Sequence, residues 1–143
     1  MASTTTLGPT TARVRLGPTR ALSVGGAIFA AVAVWVFAVP ILGLHLIVRF
    51  GNNAPQTVGL DFVVGATLIA SLLGWGLLAM LERRTSRAHA IWTVAAIAVL
   101  LVSLSLPLSA GTTTSTKAAL AVMHLAVAAV LITGLRGGLR RRV

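Results

Sequence analysis

Four stretches of the chain are continuously apolar, and the polar residues collect between them. The stretches run from Ala21 to Val48, from about Thr57 to Leu81, from Ala90 to about Ala110, and from Lys117 to about Leu135. A helix needs about 20 apolar residues to cross a bilayer. Transmembrane strands would instead alternate apolar and polar positions over roughly 10 residues, and these runs do not alternate. The pattern predicts four transmembrane helices.

The first run is 28 residues long, bounded by Arg20 and Arg49. That is too long for the apolar core of a secretory signal, about 7–15 residues, so a retained helix is expected. Its surplus length is expected to be absorbed by a kink at Pro40 and by tilt. Gly51-Asn52-Asn53-Ala54-Pro55 is a turn signal. Glu82-Arg83-Arg84-Thr85-Ser86-Arg87 is a short charged loop. Gly111 and the Thr/Ser stretch 112–116 make the next turn, with Ser115 or Thr116 placed to cap the fourth helix. Residues 1–19 hold Ser, Thr, Gly, Pro and Arg but no acid, and are expected to form a flexible basic tail. An organelle transit peptide would share that composition. The remaining boundaries are a membrane domain over 20–136 and a second basic tail over 137–143.

Short connections make successive helices antiparallel neighbours. The expected fold is therefore all-α, a four-helix transmembrane bundle running up-down-up-down. Orientation follows from the tendency of Lys and Arg to stay on the cytoplasmic side. Arg13, Arg15, Arg20, Arg83, Arg84, Arg87, Arg136, Arg140, Arg141 and Arg142 fall on one side, and Arg49 and Lys117 on the other. Both termini are thus expected in the cytoplasm, with the protein in the cell membrane.

Composition sharpens this picture. Hydrophobic residues are 57% and charged residues 10% of the chain, against about 25% charged in soluble domains. Twelve Lys and Arg face two acids, for a net charge of +10. Such a balance suits nucleic acid in a soluble protein. Here the charges sit at the ends of apolar runs without interleaved aromatics, so the expected partners are the bilayer and its anionic headgroups on the cytoplasmic side, with no nucleic acid. There is no cysteine, which excludes disulfides, thiolate metal sites and thiol catalysis. Abundant Arg, Ala, Gly and Val fit a high-GC bacterial genome.

Helices associate in lipid through close packing and hydrogen bonds. Ala66, Ala70 and Gly74 recur every four residues and predict a packing stripe on the second helix; Gly25, Gly26, Ala30 and Ala33 offer small residues on the first. Asp61 points about 180° from Ala70 at 100° per residue. Both faces favour protein over lipid, which points to a second copy or a membrane-protein partner.

Ionisable groups inside a span are costly and are candidates for function. There are three: His45, Asp61 and His124. From the expected boundaries they lie roughly 6, 6 and 10 Å inside the outer surface. That common level suggests an outward-opening polar site, a proton relay, a metal site of two His and one carboxylate, or the mouth of a pathway. Taken singly, Asp61 is placed to pair with Arg49 or Lys117, His45 to reach headgroups, and His124 to bond a neighbouring helix. Glu82 beside Arg83 and Arg84 reads as a surface ion-pair partner, and His89 as solvated. Trp92 and Trp75 suit the inner interfacial belt, and Trp35 suits packing. No Gly-rich phosphate loop, His-Glu-x-x-His or Gly-x-Ser-x-Gly is present, so no catalytic residue, resident metal or cofactor is expected.

Leu81-Glu82-Arg83-Arg84, Trp92, Leu104-Ser105-Leu106-Pro107-Leu108-Ser109-Ala110 and Lys117-Ala118-Ala119-Leu120-Ala121-Val122-Met123-His124-Leu125 resemble a group of small actinobacterial membrane proteins, a domain of unknown function with four predicted helices. The resemblance covers most of the chain after residue 20. It implies the same topology and no particular activity. The reading that follows is a non-enzymatic accessory or interaction protein. A minimal proton- or ion-responsive transporter or channel, acting as an oligomer, is the alternative, and a membrane-embedded enzyme comes third.

Overall fold

The first apolar run does not stay helical to its end. A computed structural model describes residues 16–137. In it, helix α1 (Leu16–Val36) passes into a single wide π turn (Phe37–Ile41) that contains Pro40. Proline has no amide hydrogen and its ring crowds the carbonyl four residues back, here that of Val36. Widening the turn relieves that crowding. Leu42 donates to the carbonyl of Phe37 at 3.1 Å and Leu44 to that of Ala38 at 3.0 Å. Gly43, at φ 65°, takes the left-handed conformation that ends the helix.

The expected helix over 21–48 is therefore corrected at its C-terminal end. Arg20–Ile41 is the span, 22 residues, or roughly 33 Å at 1.5 Å per residue. That already matches a hydrocarbon core of about 30 Å. The surplus leaves the helix after Ile41. The start is corrected as well, since residues 16–19, expected in the flexible tail, begin α1. Pro18 lies in the first turn, where its missing amide costs nothing. The rest of that tail and residues 138–143 lie outside the described residues.

A chain segment that leaves a helix at the membrane surface still has to satisfy its backbone. Residues 42–59 do so as a hairpin. Strand β1 (Ile47–Val48) pairs antiparallel with β2 (Gln56–Thr57), matching Ile47 to Thr57 and Val48 to Gln56. Val58 donates to Leu46 at 2.8 Å, and Arg49 to Ala110 at 2.8 Å. Thr112 donates to the Ile47 carbonyl from its backbone at 3.2 Å and from its hydroxyl at 3.0 Å. The hairpin is thereby sewn to the turn between the last two helices. Its inward side chains Leu46, Val48 and Val58 are buried with Val63, Leu120 and Met123.

Three further helices complete the bundle: α2 (Leu60–Arg84), α3 (Ala88–Ala110) and α4 (Thr114–Gly137). Each is long and apolar enough to cross a membrane. Around the bundle α1 neighbours α2, α2 neighbours α3, α3 neighbours α4, and α4 returns to α1 in the most extensive contact of all. This is the up-down-up-down arrangement. Both described ends of the chain lie at one end of the bundle and the hairpin at the other.

Helix α4 is capped by Thr113, one residue before its start, and not by Ser115 or Thr116. The Thr113 hydroxyl accepts the Thr116 amide at 3.1 Å and donates to the Thr116 hydroxyl at 2.9 Å. Thr116, almost fully buried, passes a bond on to the His45 carbonyl at 3.2 Å. Gly111 makes this turn possible. A Cβ there would stand 2.7 Å from Lys117 Cγ and 2.8 Å from the Pro107 carbonyl.

Candidate functional site

The three ionisable residues do not share a level. His45 lies beyond the end of the first helix and its side chain is exposed; its carbonyl accepts from the Thr116 hydroxyl and the Ile47 amide. Asp61 is the second residue of α2, because that helix begins at Leu60 and not at Thr57. It is exposed, and its carboxylate curls back over Gly59, which caps the helix. A negative charge is favoured there by the unsatisfied amides of the first turn. Neither Arg49 nor Lys117 forms an ion pair with it.

His124 is the eleventh residue of α4, roughly 15 Å from that helix's start and close to the middle of the span. It is half-buried. Its Nδ1 donates to the Leu120 carbonyl at 2.7 Å, a bond inside its own helix. Since a carbonyl can only accept, Nδ1 carries the proton and Nε2 is left as the free position. Nε2 makes no hydrogen bond among the described residues. Among the described residues no three His, Asp or Glu side chains are grouped as a metal site would need. Depth from assumed helix boundaries placed the trio together; the hairpin and the later start of α2 separate them.

The small-residue stripe on α2 is also displaced. Its buried positions are Val63, Thr67, Ser71 and Leu78. Ala66 and Ala70 face outward. Gly74 does meet a neighbour, because its carbonyl accepts the Trp92 indole N–H at 2.8 Å. Trp92, at 3% exposure, is thus an interhelical bond and not part of an interfacial belt. It packs with Leu78 and Leu135.

The closest seam lies elsewhere, between α1 and α4. Ser23, Ala27 and Ala31 recur every four residues and are all buried. They present the small-residue ridge that lets backbones approach in lipid. Opposite them, a Cβ added to Gly134 would sit 2.5 Å from Ser23 Oγ and 2.9 Å from Ser23 Cβ. One added to Gly26 would sit 3.3 Å from Val130 Cγ1. Spacing in the sequence could have found this seam, since Ser23-x-x-x-Ala27-x-x-x-Ala31 is as regular as the α2 stripe. Nothing in the spacing ranks one above the other.

Glu82 is an ion-pair partner of a residue far away in sequence. One Arg20 guanidinium nitrogen lies 2.6 and 2.7 Å from its two carboxylate oxygens, tying the start of α1 to the end of α2. His89 Nε2 stands 3.6 Å from the same carboxylate, so His89 is drawn into this cluster instead of standing alone in solvent. The signal was available: Glu82 is one of two acids in the chain, and antiparallel order brings the first turns of α1 and α3 to its side. Ser71, on α2, is a further polar feature. Its hydroxyl is fully buried and has no hydrogen-bond partner among the described residues.

Four apolar helices, a hairpin sealing one end and an ion pair at the other define a small multi-pass membrane protein with no assembled acid–base or metal centre among its described residues. The chain belongs to a family of unknown function, DUF6069, whose model matches residues 11–141. No curated protein and no solved structure matches it.

Proposed function

We propose that the protein is a non-enzymatic interaction subunit of the cell membrane that associates with a second copy through α2 and α3, with both termini in the cytoplasm. The observation that carries this is the outward surface of α3. Its buried residues are Ala88, Trp92, Pro107 and Ala110, all near its ends, and no residue between Thr93 and Leu106 is buried. Beside it, Ala66 and Ala70 face outward on α2. Small side chains at exposed positions leave room for another backbone, and close packing is what holds helices together in lipid. Among the described residues, five arginines at the terminal side (Arg20, Arg83, Arg84, Arg87 and Arg136) against Arg49 and Lys117 at the hairpin side support the orientation.

The absence of cysteine makes a direct test simple. Ala70→Cys in proteoliposomes at low protein density is expected to crosslink to a dimer with a short bifunctional reagent. Phe29→Cys, on the exposed face of α1, is expected to stay monomeric. Monomer from both would sink the self-association reading. A proton- or ion-responsive pathway rests on His124 alone, whose Nε2 is free at mid-span. It predicts proton flux in liposomes that His124→Ala changes, and the interaction reading predicts none.

A further inference from the structure

The two ends of the bundle carry different net charge, and they hold their acids differently. At the terminal end the described residues include Arg20, Arg83, Arg84, Arg87 and Arg136, with Glu82 the one acid. Five arginines against one glutamate leave a net charge of +4 there. At the hairpin end Arg49 and Lys117 against Asp61 leave +1. How Glu82 is engaged decides what the +4 can do. Its carboxylate is taken by Arg20, whose side chain is only 12% exposed, with His89 on the third side. It is therefore not offered to Arg83 and Arg84 beside it in sequence, or to Arg87 across the loop. These three and Arg136 are exposed, and none forms an ion pair among the described residues.

Depth makes the surface specific. Arg83 and Arg84 are the last two residues of α2, and Arg136 the last but one of α4. Arg87 immediately precedes α3. The spans they close run roughly 35 Å at 1.5 Å per residue, so the guanidinium groups reach the level of lipid phosphates, just outside a core of about 30 Å. Arginine's planar fork matches a phosphate through two parallel hydrogen bonds. We propose that the α2–α3 loop, Arg83, Arg84 and Arg87, with Arg136 of α4 beside it, is a binding surface for the headgroups of anionic phospholipids. The internal Arg20–Glu82 pair keeps the bundle's own acid out of that surface. The site does not depend on whether the protein self-associates.

The test is native mass spectrometry of the full chain in detergent with equimolar phosphatidylglycerol and phosphatidylcholine. The protein is expected to retain phosphatidylglycerol preferentially. The triple variant Arg83→Gln/Arg84→Gln/Arg87→Gln is expected to lower that preference at least fivefold, since one basic residue near a membrane surface is worth roughly a factor of five. Arg49→Gln/Lys117→Gln, at the opposite end, is expected to leave it unchanged. Glu82→Gln frees Arg20 to join the surface and is expected to raise it. This arm decides the matter if the triple variant loses its helicity. Equal retention of both lipids by the unmodified protein would overturn the proposal. So would a preference that survives the triple variant, or that falls equally at the hairpin end.

Discussion

Replacing Gly134 by alanine sets two effects of known size against each other. In an open helix position Gly→Ala stabilises by about 1 kcal/mol through backbone entropy. At Gly134 the new methyl would lie 2.5 Å from Ser23 Oγ and 2.9 Å from Ser23 Cβ. Ser23 has a partner of its own, and its Cβ moves only with the backbone. Carbon atoms rest at about 3.5–4.0 Å, so α1 must retreat by roughly 1 Å at its closest crossing with α4. Ala27 and Ala31, fully buried on the same ridge, lose contact as it does. Overpacking of this kind costs about 1–3 kcal/mol, which outweighs the propensity gain. The expected result for Gly134→Ala is a net loss of about 1 kcal/mol. Gly65→Ala and Gly76→Ala on α2 provide the internal reference, since nothing stands within 4 Å of a Cβ at either; both are expected to be neutral or stabilising. Reversible unfolding in mixed micelles, followed by circular dichroism as the denaturing detergent fraction rises, reads all three. The double variant Gly134→Ala/Ser23→Gly is expected to recover part of the loss, a coupling that locates the clash. If Gly134→Ala stabilises as much as Gly65→Ala, the α1–α4 seam is not where the helices meet most closely.

Three further outcomes follow from the same contacts. Ser71→Ala removes a fully buried hydroxyl that has no partner among the described residues, so it should stabilise by about 0.5–1 kcal/mol in the same unfolding assay; destabilisation would mean the hydroxyl is bonded. Arg20→Ala and Glu82→Gln, combined in a double-mutant cycle, should show a coupling of about 1 kcal/mol, because their side chains are only 12% and 27% exposed; zero coupling would dissolve the link between α1 and α2. Thr113→Ala removes the cap of α4 and should cost about 1 kcal/mol, with faster amide exchange confined to the first turn of α4 and the paired hairpin; exchange unchanged there would refute the cap.

Much of the fold was legible because membrane helices announce themselves by length and apolarity. Water is absent from the bilayer core, so every backbone group there must be satisfied within the helix, and a run of about 20 apolar residues has few other options. Short polar loops between such runs leave antiparallel neighbours as the simple packing. The sequence by itself therefore determined the number of spans, their order and the asymmetry of charge between the two ends. It also marked Pro40 as a kink, although the run around it stays apolar through Val48.

What only the tertiary structure decided is which residues meet. Hydropathy cannot tell a buried helix from a buried hairpin, since Leu46, Val48 and Val58 are apolar in either; a proline-widened turn and a left-handed glycine made the difference. Helical spacing finds small-residue stripes but not their partners, so the stripe through Ala66 and Ala70 faces outward while Ser23, Ala27 and Ala31 meet α4. Depth along a helix depends on where the helix starts, and moving two starts by three residues sent Asp61 toward the surface and His124 toward the middle. Glu82 found its partner 62 residues away in Arg20, not in its arginine neighbours. Each of these depends on the rotation of one helix about its axis relative to another. That angle is set by the fit of whole surfaces and is carried by no single residue.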